Sequence, residues 1–154
     1  FHKLYTDSIN SAQAFSGEQT FDGGYIAGGG NNKIKTDMNG FVAEGPGANA
    51  FYEKDGKLFT PSTGNILPGI TRATVFEICE ELGIPVEERL FNTDELKEAD
   101  AAFFCGTAAE VVGWESLDDV KFSKSWNETV SKKVQETYLN KVREKEYKSS
   151  LEPA

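Results

Sequence analysis

Histidine and cysteine are scarce in this sequence of 154 residues, and their scarcity argues against several kinds of chemistry. The one histidine is His2, beside the first residue, and the two cysteines, Cys79 and Cys105, stand far apart. We therefore expect no catalytic histidine, no metal site and no disulfide framework. Both thiols are expected to be buried in a reducing, cytoplasmic setting. Any catalysis must then depend on carboxylates, hydroxyls, backbone amides or a cofactor.

Long apolar runs and an excess of positive charge are also missing. No run of about 18 apolar residues is present, so we expect no membrane-spanning helix. The sequence starts at Phe1 and shows no signal peptide, and we interpret it as a fragment or a processed product. The formal net charge is −9, which disfavours nucleic acid and anionic lipid as partners.

The residue pattern predicts a folded domain of mixed α+β class. Hydrophobic residues make up 38% of the sequence and include 11 Phe, which is enough for one core. Residues 1–36 are interpreted as an N-terminal remnant with a glycine- and asparagine-rich loop, which matches the family pattern described below poorly. Residues 37–154 are interpreted as a single domain. The elements predicted in that domain are a β-meander over 39–60, a helix over 70–82, a strand over 84–91, a short helix after it, strands over 101–105 and 109–113, and a helix over about 125–147.

Local signals support several of these elements. Asp55-Gly56 lies between two strand-like runs and predicts a tight hairpin, because both turn positions need a positive φ. Gly83 is placed to end the first helix, and Thr93 is predicted to cap the second. The first helix has one apolar face, formed by Val75, Ile78, Cys79 and Leu82. The last helix has another, formed by Trp126, Val130, Val134, Tyr138 and Val142.

The segment Leu67-Pro68-Gly69-Ile70-Thr71-Arg72, at the entry of the first helix, has the features of a phosphate site. Gly69 allows close approach to the backbone, and the amides of Ile70 and Thr71 lie at the positive end of the helix dipole. The alternative is an ordinary Pro-Gly turn followed by a capping threonine. The residues alone favour that alternative.

Two further segments have weaker signals. The small residues of Cys105-Gly106-Thr107-Ala108-Ala109-Glu110 would expose backbone amides to an anion, or they form a tight turn between strands. Glu44 ends a predicted strand just before Gly-Pro-Gly. Its carboxylate is either held for a specific partner or is one solvated acid among 25.

In this order and at this separation, these segments resemble the pyridoxal 5'-phosphate (PLP) aminotransferases of class IV, also called fold type IV. They are most similar to the branched-chain amino acid aminotransferases, over about residues 37–134. The resemblance implies the C-terminal domain of that fold, with a mixed sheet or barrel flanked by helices. The motifs that carry it are EGPGANAF at 44–51, DGKLFTP at 55–61, LPGITR at 67–72 and FCGTAAEV at 104–111.

The resemblance also implies residue roles. Glu44 would pair with the pyridine nitrogen of PLP and keep it protonated, so that the ring accepts electrons. Leu67 would pack against the ring. The phosphate would be bound by the segment at Gly69, through the amides of Ile70 and Thr71 and the hydroxyl of Thr71.

Further roles fall on the second motif and on the start of the sequence. Thr107 would add a phosphate contact, and the amides of Thr107 and Ala108 would face the substrate carboxylate. Tyr5 would match a tyrosine that contacts the ring oxygen of PLP. On that alignment the lysine that forms the Schiff base falls before Phe1, and Lys3 is out of register, so no catalytic residue is assigned.

The resemblance implies amino-group transfer between Leu, Ile or Val and 2-oxoglutarate, with amino acids and 2-oxo acids as partners. The family's N-terminal domain, which supplies much of the substrate pocket, has no counterpart in this sequence, so we expect the chain alone to be inactive and to self-associate through exposed apolar surface. Two alternatives stay open. The first is a non-catalytic binding or assembly module on the same fold, and the second is a D-amino-acid aminotransferase or aminodeoxychorismate lyase.

Overall fold

The computed structural model describes residues 35–36, 39–44, 48–62, 69–107, 110–117 and 119–151. The predicted loop over 21–32 lies outside these residues. The elements, in chain order, are β1 Lys35–Thr36, β2 Val42–Glu44, β3 Asn49–Lys54, β4 Lys57–Thr60, α1 Ile70–Leu82, β5 Val86–Glu88, α2 Thr93–Lys97, β6 Ala101–Gly106, β7 Glu110–Trp114, β8 Ser116–Leu117, β9 Val120–Lys121, a short 3₁₀ helix Trp126–Glu128 and α3 Val130–Leu151.

A five-stranded mixed sheet forms the centre of the described fold. Its strand order is β5-β4-β3-β6-β7, and all neighbours are antiparallel except the parallel pair of β4 and β5. The predicted hairpin at Asp55-Gly56 is confirmed, with φ of 52° and 76° at its two central residues. The α+β class is confirmed as well.

The predicted meander over 39–60 is wrong in its first strand. β2 pairs with β1 in a separate two-stranded sheet and does not enter the central sheet beside β3. The Val42 amide donates to the Phe91 carbonyl at 2.8 Å, and Phe41 bridges to Asn92. This strand therefore satisfies its backbone through a segment that is distant in sequence.

The two faces of the central sheet pack against different layers. Because side chains alternate along a strand, Phe51 and Phe103 lie on one face with α1 and α3. Tyr52 and Phe104 lie on the other face with Phe91 and residues of α2, β8 and the segment after β9. Phe51 and Phe103 stack with 4.9 Å between their ring centroids.

Helix α1 has the predicted bounds. Gly83 ends it in the left-handed conformation, with φ of 69° and an amide that donates to carbonyls of the last turn. Val75, Ile78 and Cys79 are fully buried as predicted. Leu82, the fourth residue of the predicted apolar face, is not buried: it lies in the last turn of the helix and is 43% exposed.

The ends of two other elements differ from the prediction. The strand expected over 84–91 is confined to Val86–Glu88, since only this part pairs with β4. Asn92, not Thr93, caps α2, because the Asn92 side chain accepts the Glu95 amide at 2.9 Å.

The helix expected over 125–147 is divided in two. Thr129 has extended backbone angles and separates the 3₁₀ helix at Trp126 from α3. Its hydroxyl accepts the Lys132 amide at 3.1 Å. Val134 and Tyr138 are buried as predicted, and Trp126, Val130 and Val142 pack against the same cluster.

Among the described residues, no helix combines the length and the apolar character needed to cross a bilayer.

Candidate functional site

Segments of three of the sequence motifs meet at one end of the central sheet. Asn49, at the start of β3, is the register partner of Cys105, near the end of β6. Gly69, just before α1, lies so close to Asn49 that a Cβ atom on Gly69 would come within 2.8 Å of the Asn49 Oδ1 atom. A larger residue at position 69 would therefore have to displace the Asn49 side chain.

The entry of α1 has the features of an anion-binding helix terminus. Gly69 is extended, with φ of −101° and ψ of 146°, and has no side chain that caps the helix. The first intrahelical bond runs from the Ala73 amide to the Gly69 carbonyl at 3.0 Å. The amides of Ile70 and Thr71 precede it, and the first turn holds no acidic residue. Such a terminus combines unused N–H donors with the positive end of a helix dipole.

The side chains at this entry differ in exposure. Thr71 is buried, whereas Ile70 is 86% exposed.

Arg72 is a component of this site that the sequence reasoning did not single out. Its side chain is buried, its Nη2 atom donates to the Pro61 carbonyl at 3.1 Å, and the same atom pairs with the Glu88 carboxylate at 2.5 Å. The guanidinium lies over the Phe76 ring at 4.8 Å. Its Nε atom is buried and has no hydrogen-bond partner among the described residues. An arginine in the first turn of a helix, where the dipole disfavours a cation, was the available signal.

The turn after β6 follows Cys105, the register partner of Asn49. Gly106 pairs with Glu110 across the turn, and Thr107 between them is exposed. Glu110 has a positive φ of 58°, an uncommon conformation for a residue other than glycine, asparagine or aspartate.

The remaining predicted site residues are not placed by these contacts. Glu44 ends β2, where its backbone pairs with Lys35, and its side chain lies outside what the structure describes. Tyr5, Leu67 and Ala108 lie outside the described residues altogether. Their roles stay predictions.

The thiols of Cys79 and Cys105 are unreactive at neutral pH. Burial raises the pKa of Cys79 to about 12. Burial also raises the pKa of Cys105 to about 12, although the nearby Arg72 charge acts in the opposite direction. Neither cysteine is a nucleophile at neutral pH, because the thiolate is the reactive form.

A cavity of about 380 Å³ lies elsewhere in the described part of the chain. Residues 113–115 and 121–127 line it, and none of the predicted site residues is among them. It contributes nothing to the arrangement at Gly69.

Comparisons of the sequence with a family model and with curated proteins agree with each other. The family model for amino-transferase class IV matches residues 26–117, which is more than half of the chain. The branched-chain-amino-acid aminotransferase of Escherichia coli (strain K12) is 40% identical over 107 residues, which cover 69% of this chain and 35% of that protein. The chain thus spans about a third of the length of the curated relatives it matches.

Solved structures share the fold. A branched-chain amino acid aminotransferase from Thermobaculum terrenum in its PLP form aligns with a TM-score of 0.68 and 37% identity, over 71% of this chain and 36% of that one. The branched-chain aminotransferase of the thermophilic archaeon Thermoproteus uzoniensis, with norvaline, aligns with a TM-score of 0.64 and 40% identity, over 68% of this chain and 35% of that one. The fold expected from the motifs, that of the fold type IV aminotransferases, is confirmed, and the chain belongs to the amino-transferase class IV family.

Proposed function

We propose that this chain forms the cofactor-binding part of a branched-chain amino acid aminotransferase. The reaction transfers an amino group between leucine, isoleucine or valine and 2-oxoglutarate, and the cofactor is PLP. The relatives with this name and the PLP form of one structural neighbour support the assignment. We also infer a cytoplasmic, homo-oligomeric enzyme.

One observation carries the cofactor proposal. Gly69, at the entry of α1, lies against the Asn49 side chain at the start of β3, and β3 pairs there with the end of β6. A helix entry without a side-chain cap, the positive end of the helix dipole and the buried charge of Arg72 together suit a phosphate group. The residues present therefore fit a phosphate-bearing cofactor.

When bound, PLP supplies an electron-accepting ring through which amino groups are exchanged. The chain's part is to hold and orient it. The amides of Ile70 and Thr71, with the Thr71 hydroxyl, bind the phosphate, and Thr107 adds a contact from the turn after β6. A dianion held by several charge-assisted N–H donors is fixed in position as well as bound.

The other proposed roles concern the ring and the substrate. Glu44 keeps the ring nitrogen protonated, which maintains the electron demand of the ring. Leu67 packs against the ring, and Tyr5 contacts the ring oxygen. The amides of Thr107 and Ala108 face the substrate carboxylate, so the same turn that contacts the phosphate also orients the amino acid.

We further propose that the 154-residue chain is inactive by itself. On the alignment that the resemblance implies, Lys3 is out of register with the lysine that would hold the cofactor covalently and carry a proton. Binding of the cofactor phosphate does not need that lysine, so binding and turnover are separable in this chain.

The experiment compares two purified proteins: the 154-residue chain and the product of the longest open reading frame that contains it. With PLP, leucine and 2-oxoglutarate, we expect the longer product to form glutamate and the 154-residue chain to form none. Isoleucine and valine should replace leucine as donors.

Two results would contradict the proposal in different ways. A longer product that prefers D-alanine, or that releases pyruvate from aminodeoxychorismate, would place the protein in another branch of the family. Turnover of leucine by the 154-residue chain would disprove its inactivity but leave the branched-chain assignment intact.

A further inference from the structure

We propose that Arg72 is a positioning residue that fixes the entry of α1 and, through it, the phosphate-binding amides of Ile70 and Thr71. The inference deepens the proposed function and rests on it. It assigns no contact between Arg72 and the substrate.

The contacts of Arg72 close the connection between β4 and α1. Pro61 follows directly after β4, and Arg72 lies in the first turn of α1, so their hydrogen bond joins the two ends of an eleven-residue separation. The predicted ring contact Leu67 and the close-packed Gly69 lie inside the closed segment. Closing a loop in this way removes conformations in which the helix entry is displaced.

Glu88 ties the same guanidinium to the edge of the sheet. It ends β5, which pairs in parallel with β4, and its carboxylate receives the Nη2 atom of Arg72. The Phe76 ring supports the other face of the guanidinium from one turn further along α1. Arg72 is thus held from the helix, the connection and the sheet at once.

Arg72 places a largely buried positive charge at the amino end of a helix. The positive charge is 6% exposed and stands at the end of α1 where the helix dipole is also positive. Its counter-ion Glu88 is 41% exposed, so water screens part of the compensation. A positive charge at the amino end of α1 adds to the helix dipole and favours the binding of an anion at this turn.

The chain offers a control of similar chemistry in Arg89, whose side chain is 36% exposed where that of Arg72 is 7% exposed. Its guanidinium also lies 4.8 Å from a phenylalanine ring, that of Phe59, and pairs with a glutamate, Glu95, at 2.8 Å. Arg89 stands on the sheet edge between β5 and α2 and contacts neither α1 nor the segment after Pro61 in any described interaction. The Arg89→Met variant therefore shows how ligand binding responds to the loss of an arginine that does not contact the entry of α1.

The test measures ligand binding to the ¹⁵N-labelled 154-residue chain. The probes are pyridoxine 5'-phosphate and pyridoxine, which differ by the phosphate and lack the aldehyde that would react with surface lysines. Dissociation constants come from the amide shifts of Ile70 and Thr71. We expect Arg72→Met to weaken the binding of pyridoxine 5'-phosphate by about tenfold or more, because a displaced helix entry misaligns the amides that bind the phosphate, and to leave the binding of pyridoxine unchanged.

Two milder variants cover the case in which Arg72→Met does not fold. Arg72→Lys keeps the charge but replaces the planar guanidinium that lies over the Phe76 ring with an ammonium group on a different stem, so we expect an intermediate loss. Glu88→Gln keeps Arg72 and its bond to Pro61, and we expect a loss of about threefold. Arg89→Met should bind both probes as the wild-type chain does.

The outcomes separate this inference from the proposed function. If the wild-type chain shows no shifts at Ile70 and Thr71 with pyridoxine 5'-phosphate, both are overturned. If the wild-type chain binds it and the Arg72 and Glu88 variants bind it equally well, the positioning role is overturned and the cofactor site stands. An equal loss for both probes would mark a general structural defect and would also overturn the positioning role.

Discussion

Glu53 is a buried carboxylate that joins the central sheet to the last helix. It lies in β3, is 1% exposed, and accepts hydrogen bonds from the Ser131 amide at 2.9 Å, the Ser131 hydroxyl at 2.7 Å and the Val130 amide at 3.3 Å. A negative charge at a helix N-terminus is stabilising because of the helix dipole and the unused amides. Glu53 therefore caps α3 from a strand 78 residues away in sequence.

We expect Glu53→Gln to lower the free energy of unfolding by about 2 kcal/mol or more, since one acceptor oxygen becomes a donor that faces N–H groups. Urea denaturation followed by circular dichroism measures it. Glu128→Gln, which removes an exposed carboxylate just before the same helix, should change stability by less than about 0.5 kcal/mol. Equal stability of Glu53→Gln and wild type would show that the cap is not needed.

The contacts and roles of single side chains were the hardest features to predict. Glu53 stands in a strand-like run, and nothing near it in the sequence names Ser131 as its partner. Arg72 closes its segment through Pro61 and Glu88, which belong to other elements. The motif resemblance pointed to Gly69, Ile70 and Thr71 because those roles depend on local backbone, whereas roles that depend on long-range side-chain contacts left no local pattern.

At the scale of elements, Gly113 shows how tightly β7 packs against the segment before α3. A Cβ atom on Gly113 would lie 2.7 Å from three atoms of the Trp126 ring. That ring meets Phe103 edge-on, and its Nε1 atom donates to Gln135 at 3.1 Å. Gln135 in turn donates to the Val111 carbonyl at 3.0 Å, so strand, 3₁₀ helix and α3 form one packed unit.

We expect Gly113→Ala to destabilise the fold by about 1–3 kcal/mol, because the indole must move away from the strand. The combination with Trp126→Leu provides the control. In that background the added methyl meets a smaller side chain, so its cost should fall by about 1 kcal/mol. Strictly additive effects in denaturation experiments would contradict the proposed steric cause.

Elements whose bounds depend on residues adjacent in sequence were predicted well. The bounds of α1, its end at Gly83 and the turn at Asp55-Gly56 depend on residues next to one another in sequence. The pairing of β2 with β1 and the break at Thr129 depend on distant partners or on one residue's backbone angles. For that reason the meander and the single long helix were wrong, although most of the residues involved were assigned to the right class.

At the scale of the whole described fold, Asp100 links three separated segments. It accepts hydrogen bonds from the Asp55 amide at 2.8 Å and from the Ser123 hydroxyl. Lys124 and Lys54 lie 3.5 and 3.9 Å from its carboxylate. Burial opposes ionisation, but these hydrogen bonds and charges together lower the pKa of Asp100 below its usual 3.8.

This shift gives a pH dependence of defined sign. A carboxylate with a lowered folded-state pKa stabilises the protein above its unfolded-state pKa, and the stabilisation is lost as pH falls through the lower, folded-state value. We expect Asp100→Asn to be less stable than wild type at pH 7, with a difference that shrinks below pH 3.8. Thermal unfolding at pH 7, 5 and 3 measures it.

The control for this prediction is Asp119→Asn, which alters an exposed carboxylate. It should show a small difference from wild type that does not depend on pH in the same way. A gap between wild type and Asp100→Asn that stays constant from pH 7 to pH 3 would exclude Asp100 as the titrating group.

The family and the fold were predictable from the sequence because the motifs are contiguous and occur in a fixed order. The convergence at the helix entry is visible through Asn49, Gly69 and Cys105, which belong to three different motifs. The structure describes neither the side chain of Glu44 nor any part of Leu67. Their assignment still rests on the resemblance.

The two buried thiols have a practical consequence. Because Cys79 and Cys105 are the chain's two cysteines and both are protonated inside the core, a cysteine introduced at a surface position such as Ser149 would be the one thiol that a maleimide dye meets in the folded chain. Site-specific fluorophores and spin labels could be attached without first removing native residues. The later appearance of two more reactive sulfur atoms would then report the moment at which the core opens.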